Sequence, residues 1–243
     1  MKVRCSGLLS GSVLLFLALG AVATGKAQDK EAPKPDDSQT FRAGGVTLTI
    51  PSPANDLVEM GPDLRVLLDV LVPDSNRLVA AFITPEDLAS LPKSGKKGLS
   101  KYCLVQVVRR AEFLEVDEAT FKSVIDGASS QMGTLLDSAA KTEGDALNRR
   151  IAALGVEGKI TLDKPVQLGT MFAKQNAFGL ALMVPVSSGG ETKNMVGGTV
   201  LLRVKNRLVI GYIFAEYKDE ETADWVKKTS EDWADAVLKA NGK

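Results

Sequence analysis

Hydrophobic and polar positions alternate in the first third of the chain in a way that predicts strands. In residues 44–53, Val46, Leu48 and Ile50 alternate with threonines until a proline ends the pattern, as in a strand with one buried face. A continuous apolar run at 77–84 predicts a strand buried on both faces. Residues 102–110 predict a further strand. One face of it would carry Cys103, Val105 and Val107, and the other Tyr102, Leu104, Gln106 and Val108.

Helical spacing of apolar residues predicts helices between and after these strands. A short helix is expected at 62–72 and a helical turn at the start of 84–101, followed by a loop rich in glycine and lysine. The strongest pattern spans 116–136, with Asp117 as N-cap and the apolar stripe Phe121, Val124, Ile125, Ala128, Met132, Leu135 and Leu136. A separate helix is predicted at 145–155, with Leu147, Ile151 and Leu154 on one side and Gly155 as its stop.

From Lys159 onward the pattern changes to successive strands with short connections. The predicted strands are 159–162, 166–173, 178–186, 195–204 and 207–217. Lys205 and Asn206 lie between the last two, which suits a tight hairpin, and such neighbours pair antiparallel. The chain then ends in an amphipathic helix with the stripe Thr222, Val226, Thr229, Trp233, Ala236, Val237 and Ala240. These elements predict an α+β fold, an antiparallel β-sheet packed by helices, with a long central helix and a C-terminal amphipathic helix.

The N-terminus has the pattern of a secretion signal. Lys2 and Arg4 precede an apolar stretch, and small residues follow at two cleavage sites, after Ala23 or after Ala27. We therefore expect a signal peptide at 1–27, a disordered polar leader at 28–40 and a single α+β domain at 41–243. The predicted location is the periplasm or the exterior of a bacterial cell. The alternative is a retained N-terminal anchor that tethers the domain to the membrane.

Charge and residue usage remove several classes of function. The chain has 30 basic and 30 acidic residues and no basic stripe, so nucleic acid is not expected as a partner. It contains no histidine, which removes Ser-His-Asp and Cys-His catalytic sets and histidine-rich metal sites. Cys103 is the only cysteine after the signal and lies among apolar neighbours, so we interpret it as a core residue. We expect no cofactor and no metal.

Four weaker patterns could carry function. Ser-x-x-Lys, the spacing of serine acylases that use a lysine base, occurs at Ser90/Lys93, Ser94/Lys97 and Ser138/Lys141, but the partner motifs are missing. The basic loop 93–101 is best interpreted as a solvated loop, with transient contact with an anionic membrane surface as the alternative. The acidic residues of the last helix are interpreted as its solvent-facing side. Trp225 falls off the apolar stripe, which leaves either an exposed contact residue or packing at the helix edge.

The outline of the chain resembles the Mog1/PsbP-like domain. The resemblance rests on a first strand that ends in proline (GVTLTIPSP), a long middle helix, and antiparallel strands that run into a final amphipathic helix (RLVIGYIFAEYKDEETADWVKKTSEDWADAVLKA), and it covers about residues 41–240. It implies an antiparallel sheet between helices and a role in binding or assembling partner proteins. This chain departs from the family in the helix at 62–72 and in lacking an aromatic residue after the first proline. No functional residue is carried over.

These observations favour an exported envelope protein with a non-catalytic binding or assembly role. Its partner would be an envelope protein or a small ligand, and the sequence leaves the oligomeric state open. The competing hypothesis is an envelope hydrolase that uses carboxylates or one of the Ser/Lys pairs. A Ser/Lys mechanism requires the lysine within hydrogen-bond reach of its serine in a concave pocket.

Overall fold

A computed structural model describes residues 39–69, 72–90, 99–153, 159–188 and 190–242, without the side chains of residues 39, 67 and 131–141. The strands are β1 Gln39–Ala43, β2 Val46–Ile50, β3 Val58–Glu59, β4 Asn76–Ile83, β5 Lys101–Val108, β6 Ile160–Leu162, β7 Val166–Lys174, β8 Ala177–Ser188, β9 Glu191–Val204 and β10 Arg207–Glu216. The α-helices are α1 Pro62–Asp69, α2 Pro85–Ser90, α3 Glu118–Ala153 and α4 Glu220–Ala240. The predicted α+β fold is confirmed.

Eight strands form one antiparallel sheet. Their order is β3-β4-β5-β10-β9-β8-β6, and β7 pairs with β8 beside β6. Strands β1 and β2 form a separate hairpin. At the predicted tight turn between β9 and β10, Lys205 and Asn206 both have positive φ, 46° and 57°, as a two-residue hairpin of the favoured twist requires.

Each face of the sheet carries its own hydrophobic core. On one face, α1 and α3 cover a core that includes Leu68, Leu104, Phe121 and Leu147. On the other face, α4 and the β1–β2 hairpin cover a core with Leu48, Cys103 and Trp233. Strand β5 supplies both cores by the predicted alternation, with Tyr102, Leu104 and Val108 on the α3 face and Cys103, Val105 and Val107 on the α4 face.

The prediction of two helices at 116–136 and 145–155 is wrong, because α3 is one helix from Glu118 to Ala153. Residues 137–144 lack apolar residues at helical spacing, which suggested a break. Four of these eight residues, two alanines, one lysine and one glutamate, nevertheless have high helix propensity. Gly144, the residue in this stretch least suited to a helix, lies against Leu162, with 4.0 Å between a Cβ built at Gly144 and that side chain.

The start of α3 follows the predicted capping, while Gly155, the predicted stop, lies outside the described residues. Asp117 accepts a hydrogen bond from the Thr120 N–H at 2.7 Å, which confirms it as the N-cap of α3.

Strand β1 was not predicted, and it begins at Gln39, ahead of the domain boundary expected at Phe41. Residues 1–38, with the predicted signal and most of the leader, lie outside the described residues. Among those described, no helix is long and apolar enough to cross a membrane.

Candidate functional site

Three polar side chains are buried on the sheet face that α1 and α3 cover. Tyr102 and Gln106 belong to β5 and Thr199 to β9, with exposed fractions of 1%, 0% and 4%. Tyr102 Oη, Gln106 Nε2 and Thr199 Oγ1 have no hydrogen-bond partner in the part of the chain that the structure describes. We call these three residues the polar trio.

Strand register brings the trio together around Tyr212. Leu104 on β5 pairs with Tyr212 on β10, which pairs with Thr199 on β9. Tyr102 and Gln106 lie two residues to either side of Leu104 and share its face. From a rise of about 3.3 Å per residue and a strand spacing of about 4.8 Å, the three Cα atoms form a triangle with sides of about 11–13 Å. The three side chains therefore stand on the same face of the sheet, with Leu104 and Tyr212 between them.

Neighbouring side chains fix two of the three orientations. Gln106 Oε1 accepts a hydrogen bond of 2.8 Å from Asn76 Nδ2, so the Nε2 end of the amide is the free end. The Tyr102 ring stacks on Phe214, with ring centroids 5.3 Å apart and an interplanar angle of 24°. The adjoining sheet positions on this face are uncharged: they carry Tyr212 and the apolar side chains Leu104, Leu180, Leu201, Ile210 and Phe214.

Helix α3 contributes polar atoms to the same side of the sheet. Glu143 and Arg150 lie one turn to either side of Leu147, a fully buried residue of the core that also contains Tyr102. Glu143 Oε2 and Arg150 Nη1 are buried and have no hydrogen-bond partner within the described chain. Burial raises the pKa of the Glu143 carboxyl, the Arg150 guanidinium lowers it, and the charge of Asp74 raises it, with a net upward shift.

Unpaired buried atoms of this kind are costly. Each buried donor or acceptor without a partner costs about 1–3 kcal/mol, so most proteins contain few of them. The trio and the two α3 residues concentrate five such atoms on one side of one sheet. A ligand with matching groups would recover this free energy on binding.

The chemistry available to the trio is hydrogen bonding. Burial raises the pKa of the Tyr102 phenol well above its ordinary value, so the hydroxyl stays protonated at neutral pH and can donate. Gln106 and Thr199 do not ionise. These groups can orient a bound molecule, but they supply no base near neutral pH.

Cys103 lies on the opposite face of the sheet, as predicted. Its side chain is fully buried and forms no disulfide within the described residues. Burial raises the pKa of its thiol, which suppresses the reactive thiolate. The interpretation of Cys103 as a core residue is confirmed.

The Ser-x-x-Lys pairs fall largely outside the part of the chain that the structure describes. Ser90 Oγ donates to the Asp87 carbonyl at 2.9 Å, while Lys93, Ser94 and Lys97 lie outside the described residues. Ser138 and Lys141 belong to α3, where their side chains are not described. Residues 93–98 of the predicted basic loop likewise lie outside the described part.

Two further residue predictions concern α4. Trp225 packs at the edge of the helix: Lys101 Nζ lies 4.3 Å from its ring centroid and also forms a 2.9 Å ion pair with Asp56. The acidic side of α4 is exposed to solvent, as predicted, at Glu220, Glu221, Asp224, Asp232 and Asp235.

Among the described residues, no group of three or more cysteine, aspartate or glutamate side chains is placed to hold a metal ion.

The sequence placed Tyr102 and Gln106 on one face but did not identify the trio. Its third member comes from β9, and only the pairing of β9 with β10 and of β10 with β5 brings Thr199 to that face. The one available signal was polar residues within otherwise apolar strands.

Comparison with known proteins identifies no family. No protein-family model matches the chain, and no curated protein matches its sequence. A point mutant of protein Mog1 matches with 12% identity and a TM-score of 0.29, covering 83% of this chain and 91% of the other. The Saccharomyces cerevisiae Ran-binding protein Mog1p matches with 11% identity and a TM-score of 0.28, covering 81% and 86%. A weak resemblance to Mog1 is therefore found, and no function is inferred from it.

Proposed function

We propose that the protein is a non-catalytic binding protein that holds a small ligand between its sheet and α3. The observation that carries this proposal is the polar trio, three buried side chains on one face of the sheet whose hydrogen-bonding atoms have no partner among the described residues. Small-molecule sites commonly combine an apolar lining with a few convergent polar groups, and the surroundings of the trio have this composition.

Several ionisable groups with shifted pKa values have a structural role, which supports binding over catalysis. The hydrogen bonds that Lys174 donates to Asp235 and Glu231 raise the pKa of Lys174 and tie β7 to α4. Hydrogen bonds from the Thr222 hydroxyl and N–H lower the pKa of Asp219, the N-cap of α4. These shifts are explained by contacts that stabilise the fold.

Export is the second part of the proposal. It rests on the positive residues, the apolar stretch and the cleavage sites after Ala23 and Ala27. An exported protein with a ligand site would act in the cell envelope, where its ligand would be a component of that compartment. Retention of residues 1–27 would make it a membrane-tethered binding domain.

Native mass spectrometry of the protein purified gently from the producing cells tests the ligand. We expect a discrete added mass on the wild-type chain and its loss in the variant Tyr102→Phe/Gln106→Leu/Thr199→Val. Ser230→Ala serves as the control, because this α4 side chain is buried against Gly198 on the opposite face of the sheet from the trio. It should keep the added mass. An added mass that persists in the triple variant, or is absent from the wild type, would refute a ligand at the trio.

The same spectra test export. A chain that begins at Thr24 or Gln28 would show cleavage of the signal at one of the predicted sites. A chain that begins at Met1 in the membrane fraction would instead show a retained anchor.

A further inference from the structure

We propose that the ligand held by the trio is an uncharged, mainly apolar molecule that carries oxygen acceptors, with a quinone as the simplest such class. The inference rests on the proposed function. It concerns the chemistry of the ligand, and it follows from the donors, the lining and the charge balance of the site.

The donors define what the ligand must offer. Gln106 Nε2 can only donate, since it is the amino end of the amide, and its Oε1 is occupied by Asn76. The Tyr102 and Thr199 hydroxyls each add one donor, and burial keeps the phenol protonated. A ligand whose polar atoms are carbonyl oxygens would accept from all three residues and leave no donor of its own unpaired.

The lining defines the body of the ligand. Apolar side chains surround the trio on the sheet, including Leu104, Leu180 and Ile210. A ring system or hydrocarbon body gains free energy from burial against such a surface.

The charge of the site argues against an ionised ligand. The sheet positions beside the trio are uncharged, and the charges on α3, Glu143 and Arg150, are of opposite sign and influence each other. An ion buried without an opposite charge of its own carries a large desolvation cost. A neutral molecule avoids this cost and still uses the three donors.

Three probes of the same ring system separate these contributions: menadione (2-methyl-1,4-naphthoquinone), 2-methylnaphthalene and 2-naphthoate. Isothermal titration calorimetry of the full chain, freed of bound ligand by unfolding and refolding, should show menadione binding at least about tenfold tighter than 2-methylnaphthalene. 2-Naphthoate should bind more weakly than menadione. Gln106→Leu should weaken menadione by about tenfold and leave 2-methylnaphthalene unchanged, whereas Ser230→Ala should change neither.

Each contrary result has its own meaning. Tighter binding of 2-naphthoate than of menadione would overturn the proposal that the ligand is neutral, while the proposed function stands. Equal binding of menadione and 2-methylnaphthalene would overturn the role of the donors. If no probe binds but the purified protein still carries an added mass that depends on the trio, the ligand class is wrong and the proposed function stands. If no probe binds and no added mass is present, both fail. Tyr102→Phe serves as a second variant if Gln106→Leu does not fold.

Discussion

At the scale of single residues, Trp233 packs closely on Gly211 in the α4-side core. A Cβ at Gly211 would lie 2.2 Å from Cζ3 of the Trp233 ring, a distance that requires the ring or the strand to move. The ring is held in place because Trp233 Nε1 donates to the Pro51 carbonyl at 3.0 Å and the side chain is 1% exposed. Glycine at 211 is therefore a packing requirement.

We predict that Gly211→Ala lowers the free energy of unfolding by about 1–3 kcal/mol, the usual cost of overpacking a core. Gly127→Ala in α3 is the matched control, because nothing lies within 4 Å of its built Cβ. That change should leave stability unchanged or raise it by up to about 1 kcal/mol. Chemical denaturation measures the free energy of unfolding of both variants. Equal changes in the two variants would contradict the contact between Gly211 and Trp233.

The reactivity of Cys103 follows from its burial. In a Cys5→Ser background, where Cys103 is the remaining cysteine, the native protein should not react with a thiol reagent such as DTNB at pH 8. After unfolding in guanidinium chloride, one thiol per chain should react. Rapid reaction of the folded protein would contradict a buried thiol with a raised pKa.

At the scale of elements, Glu112 connects the β1–β2 hairpin to the main sheet. Its carboxylate accepts from Arg77 of β4, through Nε at 3.2 Å and through Nη2, and from the Gly44 N–H at 3.0 Å. Partial burial raises the pKa of Glu112, but the hydrogen bonds and the positive charges of Arg77 and Arg109 together lower it below its ordinary value. The ionised form is therefore the stabilising one.

The sign of the pH dependence follows from this lowered pKa. Glu112 stabilises the fold above the ordinary glutamate pKa of about 4.3, and this contribution is lost as pH falls through the lower pKa of the folded state. We predict that Glu112→Gln lowers the free energy of unfolding by about 2 kcal/mol at pH 7 and makes it depend less on pH below about 4.5. Denaturant melts from pH 3 to pH 7 test this. An unchanged pH profile would show that another group causes the acid sensitivity.

The helices and strands show which parts of the fold the sequence could predict. The faces of β5 and the turn at Lys205–Asn206 were predicted, because alternation and turn chemistry are local properties. The continuity of α3 was missed, because the periodic pattern lapses over 137–144 although the backbone stays helical. Strand β1 was missed because its five residues are of mixed polarity. The burial of Phe41 and Ala43 results from packing in the α4-side core, which the local sequence does not show.

At the scale of the whole molecule, the two sheet faces differ in composition. The α4 face is closed by mainly apolar packing that includes one buried hydroxyl without a partner among the described residues, that of Ser230. It is tied by the hydrogen bond from Trp233 to Pro51 and by Asn241, whose amide exchanges hydrogen bonds with both backbone groups of Thr49 at 3.0 and 2.7 Å. The α3 face is mainly apolar but contains the polar trio. Polar groups that lower stability are commonly retained where a function needs them, which is why we place the ligand on the α3 face.

Membership of the trio could not be predicted from periodicity. Alternation assigns Tyr102, Gln106 and Thr199 each to a face of its own strand, but it does not say which strands are neighbours. The position of Thr199 two strands from Leu104 follows from antiparallel pairing through β10. The lack of hydrogen-bond partners depends further on every side chain around them.

The central claim is that the trio is kept unpaired for a ligand, and the stability of the ligand-free variant Tyr102→Phe/Thr199→Val tests it most directly. Both replacements keep the shape of the side chain and remove a buried hydroxyl without a partner. We predict that the free energy of unfolding in urea rises by about 1–3 kcal/mol with an unchanged m value, while ligand binding is lost. A fall in stability of similar size would show that the hydroxyls form hydrogen bonds within the folded protein and would contradict the claim.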